Sequence, residues 1–141
     1  MSDQRFPKLG RETLLETALP TENPPVRLVK GARIRFAPDQ PSGIHRYPMS
    51  TCGVLTAGRF RFQVEGEPER ELAMGDPFFE PASRTILKFD NASADEPAEI
   101  VCFYLSDAGR PEADRDAARR LGSPARPKLS PQACGASLTA R

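Results

Sequence analysis

The sequence predicts an all-β domain, an antiparallel sandwich or barrel with little helix. Short alternating or apolar runs recur along its 141 residues, with turn residues roughly every eight to twelve positions. Fifteen prolines and ten glycines disfavour long helices and suit many short strands joined by turns. No helical pattern is long enough for the crossover that a parallel sheet requires. A jelly roll is one such closure.

Taken in order, residues 1–10 read as a loose arm. Arg11 to Leu19 fits either a short helix or an edge strand, and Pro20, Pro24 and Pro25 end any helix there. From Val26 the period becomes two, with Ile34 and Phe36 alternating with Arg33 and Arg35. Pro38 to Gly43 is a turn cluster. Thr51 to Ala57 is a mostly apolar run that Gly58 lets reverse. Phe60, Phe62 and Val64 alternate with Arg59, Arg61 and Gln63, the clearest strand in the chain, whose arginines form a charged outer face. Gly66-Glu67-Pro68 makes a hairpin turn, and Glu69 to Met74 returns. After Gly75-Asp76-Pro77 come Phe78 and Phe79, both read as core, and a turn at Pro81-Ala82-Ser83. Thr85 to Phe89 and Glu99 to Leu105 read as the closing strands.

Beyond Ser106 the apolar periodicity stops. Residues 110–141 hold seven basic and three acidic groups, so this tail carries +4 and the remainder, with thirteen basic and sixteen acidic, −3. Such a composition reads as a polar, disordered tail, the alternatives being an anionic partner or docking onto the acidic body. The division is therefore an arm at 1–10, one β-barrel domain at 11–108 and a tail at 109–141. A net charge of +1 offers no general basic excess for nucleic acid. The N-terminus lacks the apolar segment of a signal peptide and no run approaches a membrane span. Three cysteines without a close pair, Cys52, Cys102 and Cys134, read as free thiols in a reducing cytoplasm.

Several pieces now stand in a particular order: Phe36-Ala37-Pro38 before a turn, His45-x-Tyr47-Pro48, a strand to Gly58, Gln63-Val64-Glu65-Gly66, Gly75-Asp76-x-Phe78-x-Glu80-Pro81, and Asn91 before Glu96-Pro97. In that order they resemble the cupin family in its small single-domain form, over residues 11–108. The resemblance implies a cupin-type jelly roll, or double-stranded β-helix barrel, commonly a homodimer. An apolar N-terminal segment, Leu14-Leu15 with Leu19, fits a dimer because it needs cover.

The family's motifs are similar to G-x5-H-x-H-x3,4-E-x6-G and G-x5-P-x-G-x2-H-x3-N, and three histidines and a glutamate from them usually hold a divalent metal. Here His45 takes the first histidine position, Tyr47 the second and Thr51 the glutamate. In the second motif Gly75 and Pro81 are in place, Ser83 replaces the inner glycine, Ile86 the histidine, and Asp90 or Asn91 ends it. Borderline metals need about three or four converging N, S or carboxylate ligands, and the chain has one histidine. Alternation turns Cys52 to the face opposite Thr51. The sequence therefore predicts no metal and no other cofactor.

The same alternation puts Ile86, Lys88 and Asp90 on one face, pointing into the barrel, with His45 and Tyr47 opposite. A ligand pocket is expected from His45, Tyr47, Thr51, Ile86, Lys88 and Asp90, and general acid–base catalysis, if any, from His45, Tyr47 and Lys88. The competing expectation has Lys88 reaching water near the mouth and His45 bonding a neighbour. Glu80 reads as an outward turn residue rather than an acid backing the site. The leading function is binding of a small organic molecule, as sensor or carrier. A metal-independent isomerase, epimerase or cyclase is second, and an interaction module with a filled barrel third.

Overall fold

The alternation of Phe60, Phe62 and Val64 against Arg59, Arg61 and Gln63 is the pattern from which the architecture grows. In a computed structural model, which describes residues 9–108, these residues form β4 (Arg59–Val64), with the apolar three buried and the two arginines exposed. The other strands are β1 (Leu28–Phe36), β2 (His45–Arg46), β3 (Ser50–Ala57), β5 (Arg70–Ala73), β6 (Pro77–Glu80), β7 (Thr85–Asn91) and β8 (Ala98–Ser106). They make two four-stranded sheets, ordered β1-β8-β3-β6 and β2-β7-β4-β5, and every pairing is antiparallel. The sheets bury one face each against the other, the aligned arrangement of a jelly roll.

The core between them is aromatic. Phe89 packs against Phe60, Phe62 and Phe78 at centroid distances of 5.1, 5.5 and 4.9 Å, and Phe36 meets Phe60 edge-on at 4.9 Å, a favoured geometry for the ring quadrupoles. Gly58 reverses the chain between β3 and β4 at φ +80°, where a Cβ would lie 2.7 Å from that of Ala98; no other residue fits that corner. At the far rim, buried Asn91 donates through Nδ2 to the Ala37 and Glu96 carbonyls and accepts from Ser93 N–H. The asparagine that ends the second motif is thus a clip between two loops.

Three expectations are corrected. Residues 11–19 form neither helix nor strand, because their leucines meet no apolar face within this fold. Of the two phenylalanines read as core, Phe78 is buried but Phe79 is only half-buried, on the outer face of the sheet. The third concerns β7. Its ladder with β4 slips between Gln63 and Val64, so that Gln63 pairs with Lys88 and Val64 with Ile86, leaving Leu87 as the extra residue of a bulge. One inserted residue reverses the phase of everything after it. Ile86 stays inside, but Phe89 and Asn91 follow it inward, and Lys88 and Asp90 go outside.

Among the described residues there is no helix, hence none long and apolar enough to cross a membrane. Cys52 is a free thiol, and burial raises its pKa. The readings of residues 1–8, of the tail 109–141 and of Cys134 lie outside the described residues.

Candidate functional site

At one end of the barrel the aromatic core gives way to a ring of five residues. His45 enters from β2, where it stands directly opposite Ile86 of β7. Its Nδ1 lies 2.8 Å from the Gly43 carbonyl. A carbonyl only accepts, so Nδ1 carries the proton and the ring turns Nε2 inward. Nε2 lies 3.6 Å from Oε1 of Glu80, with both side chains almost wholly buried at 6% and 4% exposure. From Glu80 the ring continues along the inner face of the other sheet, where Thr51 of β3 is its direct partner and Tyr104 of β8 is the next. Tyr104 meets Tyr47 edge-on at 5.5 Å, and Tyr47 returns to His45 at 5.1 Å.

Local backbone bonds hold the ring. The turn after β6 donates from Ser83 N–H to the Tyr47 carbonyl at 2.8 Å, and from Ala82 N–H to the Ser50 hydroxyl at 3.0 Å. The turn of the second motif is thereby latched onto the segment that carries Tyr47. Ser83 has φ +63°, the backbone region that favours glycine, at the position where the resemblance expects one.

Of the six residues expected to line a pocket, the structure brings His45, Tyr47, Thr51 and Ile86 together and excludes two. Lys88, also expected as a catalytic group, is half-exposed on the outer face and pairs with Glu69 at 2.9 Å. Asp90 lies on the outer face opposite Arg61, and its Oδ1 accepts from the Ser42 N–H at 3.3 Å. The bulge at Leu87 displaces both.

Glu80, read from the sequence as an outward turn residue, is instead buried and faces the interior, and Tyr104 is a ring member that the sequence did not single out. The signal for Glu80 was period two itself: if Phe78 faces the core, Glu80 two residues on faces it too. Tyr104 lies in phase with Ile100 and Cys102, all three buried along β8.

The chemistry of the ring is an acid beside a base in a closed apolar surround. With Nδ1–H donated to Gly43, Nε2 is the ring nitrogen that faces Oε1 of Glu80. At 3.6 Å the contact is too long for a hydrogen bond but within ion-pair range. The Thr51 hydroxyl, buried beside Glu80, has no hydrogen-bond partner among the described residues, a cost that native proteins normally relieve with a water or a ligand. The four-ligand metal centre that the resemblance implies is a poor fit. His45 and Glu80 are two donors, Ile86 offers none, and a neutral phenol at Tyr47 is a weak one. No three His, Cys, Asp or Glu side chains among the described residues are grouped to hold a metal ion.

The sequence matches no protein-family profile and no curated protein. Its fold is nonetheless similar to solved structures. A cupin-like protein from Thermotoga maritima aligns with TM-score 0.53 and 21% identity over 61% of this chain and 62% of that one. The DMSP lyase DddQ from Ruegeria pomeroyi aligns with TM-score 0.52 and 20% identity over 59% of this chain and 41% of the lyase. An oxalate oxidase bound to the substrate analogue glycolate gives TM-score 0.51 and 19% identity over 74% of this chain and 62% of the oxidase. The chain thus spans from two fifths to three fifths of these proteins' lengths. At such identities the likeness is one of fold.

Proposed function

We propose that this chain, which has the cupin fold, binds a small polar organic molecule inside the barrel as a sensor or carrier, anchoring it on the His45–Glu80 pair rather than on a metal. The observation that carries the proposal is the closed ring itself: a buried acid and base next to a buried hydroxyl lacking a hydrogen-bond partner, walled by two tyrosine rings. A fitting ligand presents a hydroxyl or amide group to Glu80 and Thr51 and an apolar body to Tyr47 and Tyr104. A few placed polar groups among aromatic walls are the usual composition of such sites. A free thiol at Cys52 fits a reducing cytoplasm.

A second function is favoured by one feature of the same pair. A histidine nitrogen facing a carboxylate can move a proton between two positions of a bound substrate, which is what isomerases, epimerases and cyclases require. Glu80, not Lys88, would then work with His45, and Tyr47 would orient the substrate.

The test is a melting-temperature screen of the purified protein against hydroxy acids, sugars and amides, with Zn²⁺, Ni²⁺, Mn²⁺ and Fe²⁺ in parallel. A ligand at a hundredfold excess over its Kd stabilises by about 2.7 kcal/mol, a shift of several degrees. The expected result is such a shift with an organic compound, abolished in Glu80→Gln, and little response to metals. One equivalent of tightly held metal that disappears in His45→Ala overturns the proposal. A His45→Ala variant that keeps binding but loses turnover selects the enzyme. No response to any compound selects a filled barrel.

A further inference from the structure

We infer that Lys30 forms the anion-binding end of the barrel interior, so that the ligand is a short-chain hydroxy acid: its carboxylate meets Lys30, and its hydroxyl meets Thr51 and Glu80. The inference rests on the reading of the interior as a ligand site and adds the ligand's charge and orientation to it.

Alternation and register place the lysine. Along β1, Ile34 and Phe36 are buried and Ala32 packs on the core, while Arg33 and Arg35 are exposed. Lys30 lies two residues before Ala32, half-buried between the exposed Val29 and Gly31, so its side chain starts from the inner face. The ladder sets Lys30 opposite Tyr104, Tyr104 opposite Thr51, and Thr51 opposite Glu80. These four residues make one row across all four strands of the sheet, and the last three are at most 3% exposed.

The rows on either side locate it. Toward the core stand Ala32, Cys102, Gly53 and Phe78. A Cβ on Gly53 would lie 2.7 Å from Cζ of Phe78, so the phenyl ring covers the glycine and this row is an apolar floor. Toward the rim Leu28 stands opposite Ser106, and Leu28 is 45% exposed. The row therefore lies at the mouth, with Lys30 on the edge strand of its sheet. The bulge at Leu87 takes Lys88 out of the interior, and β1 supplies a lysine from the opposite sheet.

An ammonium at one end of the row, a carboxylate at the other and two hydroxyls between them select a ligand and its direction. Directly opposite residues are about 5 Å apart at Cβ, so Lys30 and Glu80 stand roughly 15 Å apart, a distance that a short ligand bridges. A ligand carboxylate beside Glu80 is repelled. Beside Lys30 it is attracted, and partial burial strengthens the attraction. A hydroxy acid consequently enters with its carboxylate toward the mouth and its hydroxyl toward that of Thr51, which has no hydrogen-bond partner among the described residues. The Tyr104 ring flanks the carbon chain.

The experiment is isothermal titration of the full chain with lactate, β-hydroxybutyrate and γ-hydroxybutyrate, each beside its isosteric primary amide, in wild type, Lys30→Met and Lys30→Arg. At least one acid is expected to bind wild type about tenfold tighter than its amide, roughly what one charge-assisted hydrogen bond confers. Lys30→Met should bring acid and amide to near-equal affinity by weakening the acid alone, and Lys30→Arg should restore the preference. Should Lys30→Met fail to fold, Lys30→Gln takes its place. Amides that bind wild type as well as their acids, or an acid preference that survives loss of the charge, overturn the inference and leave the interior site standing. No binding by any acid also overturns it; the interior site itself falls only if the wider melting-temperature screen is silent as well.

Discussion

Replacing Glu80 by glutamine removes the carboxylate from the ring while nearly keeping its volume, so its effect isolates the pair with His45. At 3.6 Å, two unit charges attract by about 4.6 kcal/mol with an effective dielectric of about 20, before desolvation is subtracted. Burial makes the subtraction large, and the net worth of such a pair against an apolar replacement is often near zero. Removing one partner is different, because the remaining group then keeps a buried charge without compensation or must give it up. That loss is about 3–5 kcal/mol for buried pairs. Glu80→Gln should therefore cost roughly 3 kcal/mol, a fall in Tm of more than about 10 °C for a folded unit of this size.

The decisive assay is a double-mutant cycle with His45→Gln, read by urea denaturation at neutral pH. If the pair shares one proton as a charged couple, the double variant should cost less than the sum of the singles, with about 2 kcal/mol of coupling expected for residues in contact. The m-value should stay constant across all four proteins, so that midpoints report stability alone. Coupling below about 0.5 kcal/mol, the level at which independent sites add, would refute the charged couple and with it the acid–base character of the site.

Three further outcomes follow from other parts of the barrel. Glu99 is held below the ordinary carboxylate range, chiefly by the Thr56 hydroxyl donating to it at 2.8 Å and also by Arg35 and Arg33. A depressed pKa contributes stability above that range and loses it as pH falls through the folded value. Glu99→Gln should thus lower stability at neutral pH, by under about 1 kcal/mol because the arginines are exposed, and the difference from wild type should vanish in acid melting curves. Ser83→Gly relieves a left-handed backbone at φ +63° that costs a non-glycine residue about 1–2 kcal/mol; after the greater entropy of an unfolded glycine is set against it, a gain of about 0.5 kcal/mol is expected in denaturation. Tyr47→His with Ile86→His sets a second imidazole directly opposite His45 and a third two residues along the chain, with Glu80 as carboxylate. Ni²⁺ or Zn²⁺ should raise the Tm of this double variant by several degrees more than that of wild type.

Much of the fold was legible because alternation is a local signal and most strands here bury one face. Phe60, Phe62 and Val64 announce β4 without help from the rest of the chain. The failures occur where a local rule needs information from a neighbour. Alternation from Ile86 carried Lys88 inward, and the bulge at Leu87 carried it out. A hint was present, since Ile86 and Phe89 are three apart and period two cannot bury both. The pattern of residues 11–19 fits a helix or a strand equally and forms neither, since Leu14, Leu15 and Leu19 stay exposed and no packing selects one.

The site was half legible, and the missing half has a single cause. Thr51 stands where the resemblance expects a carboxylate, which counted by motif leaves His45 alone. Yet Thr51 and Glu80 are direct partners on adjacent strands, with side chains on the same face about 5 Å apart at Cβ. A carboxylate moved from β3 to β6 still reaches the same region of the barrel interior, and from there it comes to 3.6 Å from His45. Motif spacing records position along the chain, whereas chemistry depends on position across the ladder. Substitutions at Tyr47 and Ile86 change what donors are available; the step from Thr51 to Glu80 changes only which strand supplies one. The barrel therefore presents an acid and a base facing each other, a pair that counting motif residues along the chain does not find.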